Sequence, residues 1–253
     1  MKPKIFICMG LVLSLLISSC SPSAPDSNPN QAEKGVVKGR VLDKDGKPVA
    51  NAVIVASSTD YYNKNSTGYS DASGNYSFSL PTGIAEGSYS VSGTVTFQYQ
   101  GKNYTMALYP EQEGVFSAYD GAVRNFVFRL NGPRSTTSDA EDMPLGGTLE
   151  VHAQPDNVND KNLEITLEPM GPLVDGSTGK TLVVGLPEND YRIKDIPVGK
   201  YKITARDKVT GQQLGVAING AFQDYAPAVE GLFTDKDFEG STFFDLVINI
   251  NTL

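Results

Sequence analysis

From Gly35 onward apolar and polar side chains alternate with a period of two, and clusters of Gly, Asn, Asp and Pro break the alternation at short intervals. No long stretch keeps a helical period. The clearest segment is Ser88 to Gln98, where Tyr89, Val91, Val95 and Phe97 fall on one side and Ser90, Ser92, Thr94, Thr96 and Gln98 on the other. Gly93 interrupts the apolar side and reads as a bend. Tyr76, Phe78 and Leu80 repeat the pattern, as do Phe126, Phe128 and Leu130. After a polar stretch from Gly132 to Pro144 it returns in Leu149, Val151, Ala153, then in Leu163, Ile165, Leu167. Tyr201, Ile203, Ala205 and Leu246, Ile248, Ile250 complete the set. Half-buried strands with one apolar face predict an all-β chain of two antiparallel β-sandwich domains.

The connections have turn chemistry. Asp43 to Gly46 with Pro48, and Asp71 to Asn75 with Gly74, combine Asx side chains with a residue able to take a positive φ. A partial internal repeat links the halves: Tyr76, Phe78, Leu80, Pro81, Gly83 and Tyr89 correspond to Tyr191, Ile193, Ile196, Pro197, Gly199 and Tyr201. In each copy proline ends a strand by removing a donor, glycine permits the turn, and tyrosine begins the next strand by burying a ring.

The first residues have a different design. Lys2 and Lys4 precede an apolar run from Ile5 to Ile17, then Ser18, Ser19 and Cys20. A basic start, a short apolar core and a small-residue cleavage site predict a signal peptide. The run is short of the roughly 20 residues that a membrane-crossing helix needs. Ile17, Ser18, Ser19 and Cys20 resemble the lipobox of bacterial lipoproteins, with Ile where Leu is commoner. The resemblance implies cleavage before Cys20 and lipid on that cysteine, where more than one acyl chain gives firmer anchoring than a single chain. Ser21, in place of Asp, is similar to outer-membrane lipoproteins of Gram-negative bacteria. The predicted layout is a signal peptide over 1–19, a Ser/Pro/Asn-rich tether over 20–34, a sandwich over 35–131, a linker over 132–145 and a second sandwich over 146–253.

Cleavage removes two of the 21 basic residues, leaving 19 against 29 acidic ones and a net charge of −10. Such a surface repels nucleic acid and anionic headgroups. It also removes Cys8, so Cys20 is the one cysteine of the mature chain, which excludes an intramolecular disulfide and a cysteine metal cluster.

Gly39, Val41, Asp43, Gly46, Pro48, Val49, Ala52 and Val53, followed by Asp71, Gly74, Tyr76, Phe78, Leu80 and Pro81, resemble the carboxypeptidase regulatory-like domain over about Gly35 to Leu130. The resemblance implies a transthyretin-like (prealbumin-like) sandwich of about seven strands, a module that stands beside catalytic domains and contributes no zinc ligands. The second half is similar to the same fold through the turn before Tyr201, and equally to an immunoglobulin-like sandwich. The shared motif residues are turn and core positions, so no functional site carries over.

Candidate chemistry is sparse. His152, the one histidine, falls on a polar strand face with Thr148, Glu150 and Gln154, and no G-x-S-x-G nucleophile motif accompanies it. One imidazole does not make a zinc site. Asp43 and Asp45 with Gly46, and Asp235, Asp237 and Glu239 with Gly240, invite calcium, yet neither has the twelve-residue pattern of a calcium loop and both read as turns. No cofactor and no metal are expected. Tyr61 and Tyr62 within the polar segment Ser57 to Asn65, with Tyr69 close behind, are the candidate ligand-binding residues, since loop tyrosines stack on sugars or anchor protein contacts. The expected function is a noncatalytic lipoprotein, not an enzyme, acting as a structural or binding module at the cell envelope. Its expected partners are the membrane, through the lipid, and a glycan or an envelope protein, with no nucleic acid. Carbohydrate capture for a neighbouring enzyme or transporter is the alternative.

Overall fold

The computed structural model describes residues 31–62, 64–81, 87–139, 142–154 and 156–253, and its alternating segments are strands. The first half holds β1 (Val36–Asp43), β2 (Val53–Ser58), β3 (Asn65–Tyr69), β4 (Asn75–Ser79), β5 (Ser88–Tyr99), β6 (Lys102–Ala107), β7 (Tyr109–Pro110), β8 (Phe116–Ser117), β9 (Ala122–Val123) and β10 (Phe126–Phe128). The second half holds β11 (Gly147–Ala153), β12 (Leu163–Pro169), β13 (Leu182–Val184), β14 (Arg192–Ile196), β15 (Lys200–Asp207), β16 (Gln213–Ile218), β17 (Val229–Leu232), β18 (Thr234–Asp235) and β19 (Phe244–Thr252). A short 3-10 turn over Asp160–Asn162 leads into β12. The all-β sandwich architecture expected from the alternation is present.

In the first half one sheet runs β4-β1-β10-β7 and the facing sheet β3-β2-β5-β6. The second half repeats both orders, as β14-β11-β19-β16 and β13-β12-β15-β16. In each half the first strand is antiparallel to the fourth and parallel to the last. β8 covers the start of β5 as β17 covers the start of β15. β6 and β7, separated by Leu108, pair with β5 and β10 respectively, whereas β16 makes both matching pairings as one strand. A strand that leaves one layer for the other closes a sandwich at its corner. The partial sequence repeat thus reports a shared topology, and the second half has the strand order of the first.

The two copies differ by a bulge. Tyr76 and Phe78 face Gly39 and Val37 across β4 and β1, while Ile193 and Ile196 lie opposite Leu149 and Gly147 with a register shift between them. Asp195 absorbs the extra residue at φ 64°. Tyr76 is buried, but its counterpart Tyr191 is exposed. Gly83 lies outside the described residues.

The cores explain two glycines. A β-carbon on Gly93 would stand 2.8 Å from Leu108 and 2.9 Å from Ile54, so this residue is a packing position that lets two aliphatic side chains close over β5. Gly68 similarly lies under the Phe78 ring, where any side chain would overlap it. Phe97 of β5 meets Phe128 of β10 at 4.9 Å between centroids, which joins the two sheets.

The halves share one continuous apolar cluster. The β5–β6 hairpin turns through Gln100 and Gly101, both at positive φ, and carries Tyr99 and Tyr104 onto the second half. The Tyr99 hydroxyl accepts from the Lys200 N–H at 3.0 Å and donates to the Pro172 carbonyl at 3.1 Å. The Tyr104 hydroxyl donates to the Phe233 carbonyl at 2.9 Å, and its ring stacks on Phe244 at 5.6 Å. The polar stretch after β10 folds back on itself: Leu145 N–H reaches the Gly132 carbonyl, and the Asp195 carboxylate accepts from the N–H groups of both Gly132 and Gly146. Burial raises the Asp195 carboxyl above its ordinary value, against the pull of those two donors and of Arg129.

These contacts set two expectations. Each hydroxyl bond between the halves contributes about 1 kcal/mol, so Tyr99→Phe and Tyr104→Phe should each lower stability by about 1–2 kcal/mol. The double alanine variant, which also removes the stacked rings, should split one cooperative urea transition into two, followed by circular dichroism and tyrosine fluorescence. Burial also raises the phenols of Tyr76 and Tyr201 well above the usual range and pushes Tyr104 up to about 12. Unfolded phenols ionise near pH 10, so the folded chain holds these protons longer and its stability is complete below about pH 10 and lost as pH rises beyond it. Urea midpoints should fall steeply from about pH 10 to 12, with a shallower fall in Tyr201→Phe.

Candidate functional site

The expected binding tyrosines lie on the β3-β2-β5-β6 sheet or its connecting loop. Tyr61 and Tyr62, 49% and 94% exposed, occupy the β2–β3 loop. Its base is held by Thr59 and Asp60: the Thr59 N–H and hydroxyl both donate to the Ser88 carbonyl, and the Asp60 carboxylate accepts the Ser88 N–H at 2.7 Å. The Tyr61 N–H donates to the Ser58 hydroxyl at 3.2 Å, which fixes the backbone of the first aromatic. Tyr69, 67% exposed, ends β3. It stands four residues beyond Asn65, about 13 Å along the strand. The three rings therefore do not form one cluster. They bracket a single surface, the outer face of this sheet.

Register assembles that face in rows. Tyr69, Val53, Thr94 and Ala107 lie side by side across four strands. Thr67, Val55 and Ser92 form the next row, and Asn65, Ser57 and Ser90 the one nearest the Tyr61–Tyr62 loop. In the other direction Thr96 faces Thr105 with hydroxyls 3.2 Å apart, and the Gln98 amide bonds to Asn103. Of these fourteen side chains eight carry hydroxyls, three carry amides, three are aliphatic and none is charged. With 20% of the chain charged, about three charges would be expected there by composition alone. Asp60, Lys64 and Lys102 stand at its rim, and Asp235 and Glu239 line a concavity with Gln98 and Asn103 at its far end.

The equivalent face of the second half is built differently. Glu164 pairs with Arg206 at 2.6 Å, Lys202 stands 4.0 Å from Glu168, and Lys200 bonds Glu230 at 2.6 Å. Thr166 and Thr204 lie between these pairs. Sequence reading singled out the tyrosines and missed the rows between them. The signal was the run Ser90, Ser92, Thr94, Thr96, Gln98, whose uncharged character gains meaning only once register brings β2, β3 and β6 alongside.

The other candidate groups have structural partners. His152 is exposed and its Nε2 lies 2.7 Å from the Glu150 carboxylate, two residues away on the same strand face. Asp43 accepts from the Asp45 and Lys47 N–H groups, Asp71 from those of Ser73 and Asn75, and Asp235 from that of Gly240. Both acidic stretches that invited calcium are built around turns of this kind, and among the described residues no group of three or more His, Cys, Asp and Glu side chains is placed to hold a metal. Cys20 lies outside the described residues, as do the predicted signal peptide and most of the tether.

Residues 36–107 match the carboxypeptidase regulatory-like domain, which bears out the resemblance read from the turn and core residues. No curated protein sequence matches the chain. Among solved structures, the Bacillus anthracis TIE protein is similar at 15% identity and a TM-score of 0.34, over 87% of this chain and 34% of its own. The present chain thus spans about a third of that protein. The shaft pilin SpaA of Lactobacillus rhamnosus GG matches at 10% identity and a TM-score of 0.26, over 87% of this chain and 100% of its own. BcpA, the major pilin subunit of Bacillus cereus, matches at 11% identity and a TM-score of 0.23, over 87% and 100%.

The carboxylate at the base of the β2–β3 loop offers a check on its construction. Asp60→Ala should leave global stability within about 1 kcal/mol, since the site is exposed. It should speed amide hydrogen exchange and proteolytic nicking near Tyr61 and Tyr62; unchanged exchange there would show that Asp60 does not hold the loop.

Proposed function

We propose that this chain is a noncatalytic structural or binding module of the bacterial cell envelope, held to a membrane by lipid on Cys20. The observation that carries the module reading is the lock between the halves. Tyr99 and Tyr104 hold two sandwiches in one relation, and Asp43, Asp71 and Asp235, in the acidic turns, are used on backbone N–H groups. A body of this kind presents surfaces at a set distance and orientation from its tether.

Anchoring is supported by the lipobox-like Ile17 to Cys20, and outer-membrane placement by Ser21. Among the described residues no helix is long and apolar enough to cross a membrane. Mass spectrometry of the mature N-terminus tests this directly. The expected species begins at an acylated Cys20, and Cys20→Ser should leave an uncut precursor; an unacylated Cys20 or a different first residue overturns the anchoring. Carbohydrate capture is the second reading, favoured by the exposure of Tyr61, Tyr62 and Tyr69 around one uncharged face.

A further inference from the structure

We infer that the outer face of the β3-β2-β5-β6 sheet binds a neutral polysaccharide, with Ser92, Thr94 and Thr96 at its centre and Tyr69 at its edge. This deepens the binding reading above and is independent of the lipid anchor.

The second half supplies an internal control. Its β13-β12-β15-β16 sheet has the same strand order, so the fold itself tolerates charge on this face. There the outer positions hold Glu164, Arg206, Glu168 and Lys202 in cross-strand pairs, an ordinary solvated surface. The first half carries no charge at any of its fourteen outer positions, whereas the second half flanks its uncharged Thr166–Thr204 row with charged pairs on both sides, and that difference needs a cause other than folding. Charge depletion is the compositional mark of a contact surface.

Chemistry then selects the occupant. A hydroxyl both donates and accepts, and an amide offers one group of each kind, so this face can meet a ligand whose own polar groups are all hydroxyls, whichever way each is turned. A phosphate or carboxylate polymer would find no cation on the face and a net charge of −8 around it. A protein partner would need a dry apolar centre, yet the only aliphatic side chains are the half-buried Val53, Val55 and Ala107. The Thr96–Thr105 and Gln98–Asn103 pairs hold their own polar groups in place across the strands before any ligand arrives. β5 runs about 26 Å from Ser90 to Gln98, a length suited to a chain lying along it rather than to one small sugar. Tyr69 adds an exposed ring on which a pyranose face can stack.

The test is affinity electrophoresis of the full chain in detergent through gels containing dextran, galactomannan or mixed-linkage β-glucan, with polygalacturonate as the anionic comparator. The expected result is retardation by at least one neutral polymer, unchanged between about 50 and about 500 mM salt because no ion pair is involved. Ser92→Lys with Thr96→Lys should weaken it tenfold or more, while Thr166→Lys with Thr204→Lys on the equivalent second-half face should leave it intact. Should the lysine variant melt early, Thr94→Val with Thr96→Val removes the hydroxyls with β-branched residues that suit a strand, and must weaken binding too. Failure of all three neutral polymers to retard the protein, retardation by polygalacturonate alone, or binding retained in a variant with native melting overturns the inference. New reducing ends in the gel polymer would instead overturn the noncatalytic reading and leave the binding surface standing.

Discussion

The contact on which the rest of the structure depends is the overhang of the β5–β6 hairpin. β5 is twelve residues long, and its last inward position, Tyr99, serves the second half rather than the first. Two sandwiches joined by a polar segment would ordinarily move relative to one another. Here a pair of tyrosines supplies both components that a fixed interface needs: ring area that excludes water, and hydroxyls that bond backbone groups of the second half, the buried Phe233 carbonyl among them. Lys200 N–H, bonded by Tyr99, belongs to the first residue of β15, so the interface fastens onto the strand start that the second sandwich uses for its own core. The fold of one half and its attachment to the other are therefore one problem.

Asp195 solves a related problem where the chain crosses between the halves. The equivalent strand ends differ by one residue, and β14 accommodates this by a left-handed residue at the bulge. That conformation costs a non-glycine residue free energy of order 1 kcal/mol, and aspartate tolerates it better than most. The same carboxylate then accepts the N–H groups at both ends of the loop from Gly132 to Gly146, so the strained residue also fastens the crossing between the halves. Arg134 reinforces that loop by reaching Thr242 and the Pro144 carbonyl, with its guanidinium 4.0 Å over the Phe243 ring.

Much of this architecture was legible in the sequence, for physical reasons that also mark where legibility stops. Alternation identifies strands because side chains on a pleated backbone point to opposite faces, and each apolar set from Tyr76 to Ile250 lies on an inner face or packs against it. Turns were legible because Asx side chains and glycine act locally, as Asp43 and Asp71 do. What alternation cannot say is which inner face a residue meets. Tyr99 and Tyr104 look like ordinary core positions of a hairpin, and only the finite depth of the first sandwich pushes them onto the second. Gly93 read as a bend for the same reason: its neighbours Leu108 and Ile54 are distant in sequence, so the steric demand that excludes a side chain was invisible. The polar segment after β10 read as a plain linker because its closure depends on Asp195, some fifty residues later.

The uncharged face follows the same logic one step further. Along β5 alone, Ser90 to Gln98 is an unremarkable polar edge of an amphipathic strand. It becomes a surface only when parallel information from β2, β3 and β6 is laid beside it, and its meaning comes from contrast with a second sandwich of identical strand order. A duplicated topology separates what the fold requires from what it merely permits. Both copies require a buried tyrosine at the start of the fifth strand, Tyr89 in one and Tyr201 in the other, and both keep it. Neither requires a particular outer face, and there the copies diverge: the second sets ion pairs exposed to water, each worth little, on either side of Thr166 and Thr204. The first forgoes them across fourteen positions while the chain as a whole remains strongly acidic. Since stability gives no reason for that asymmetry, the difference between the two faces belongs to what the protein meets.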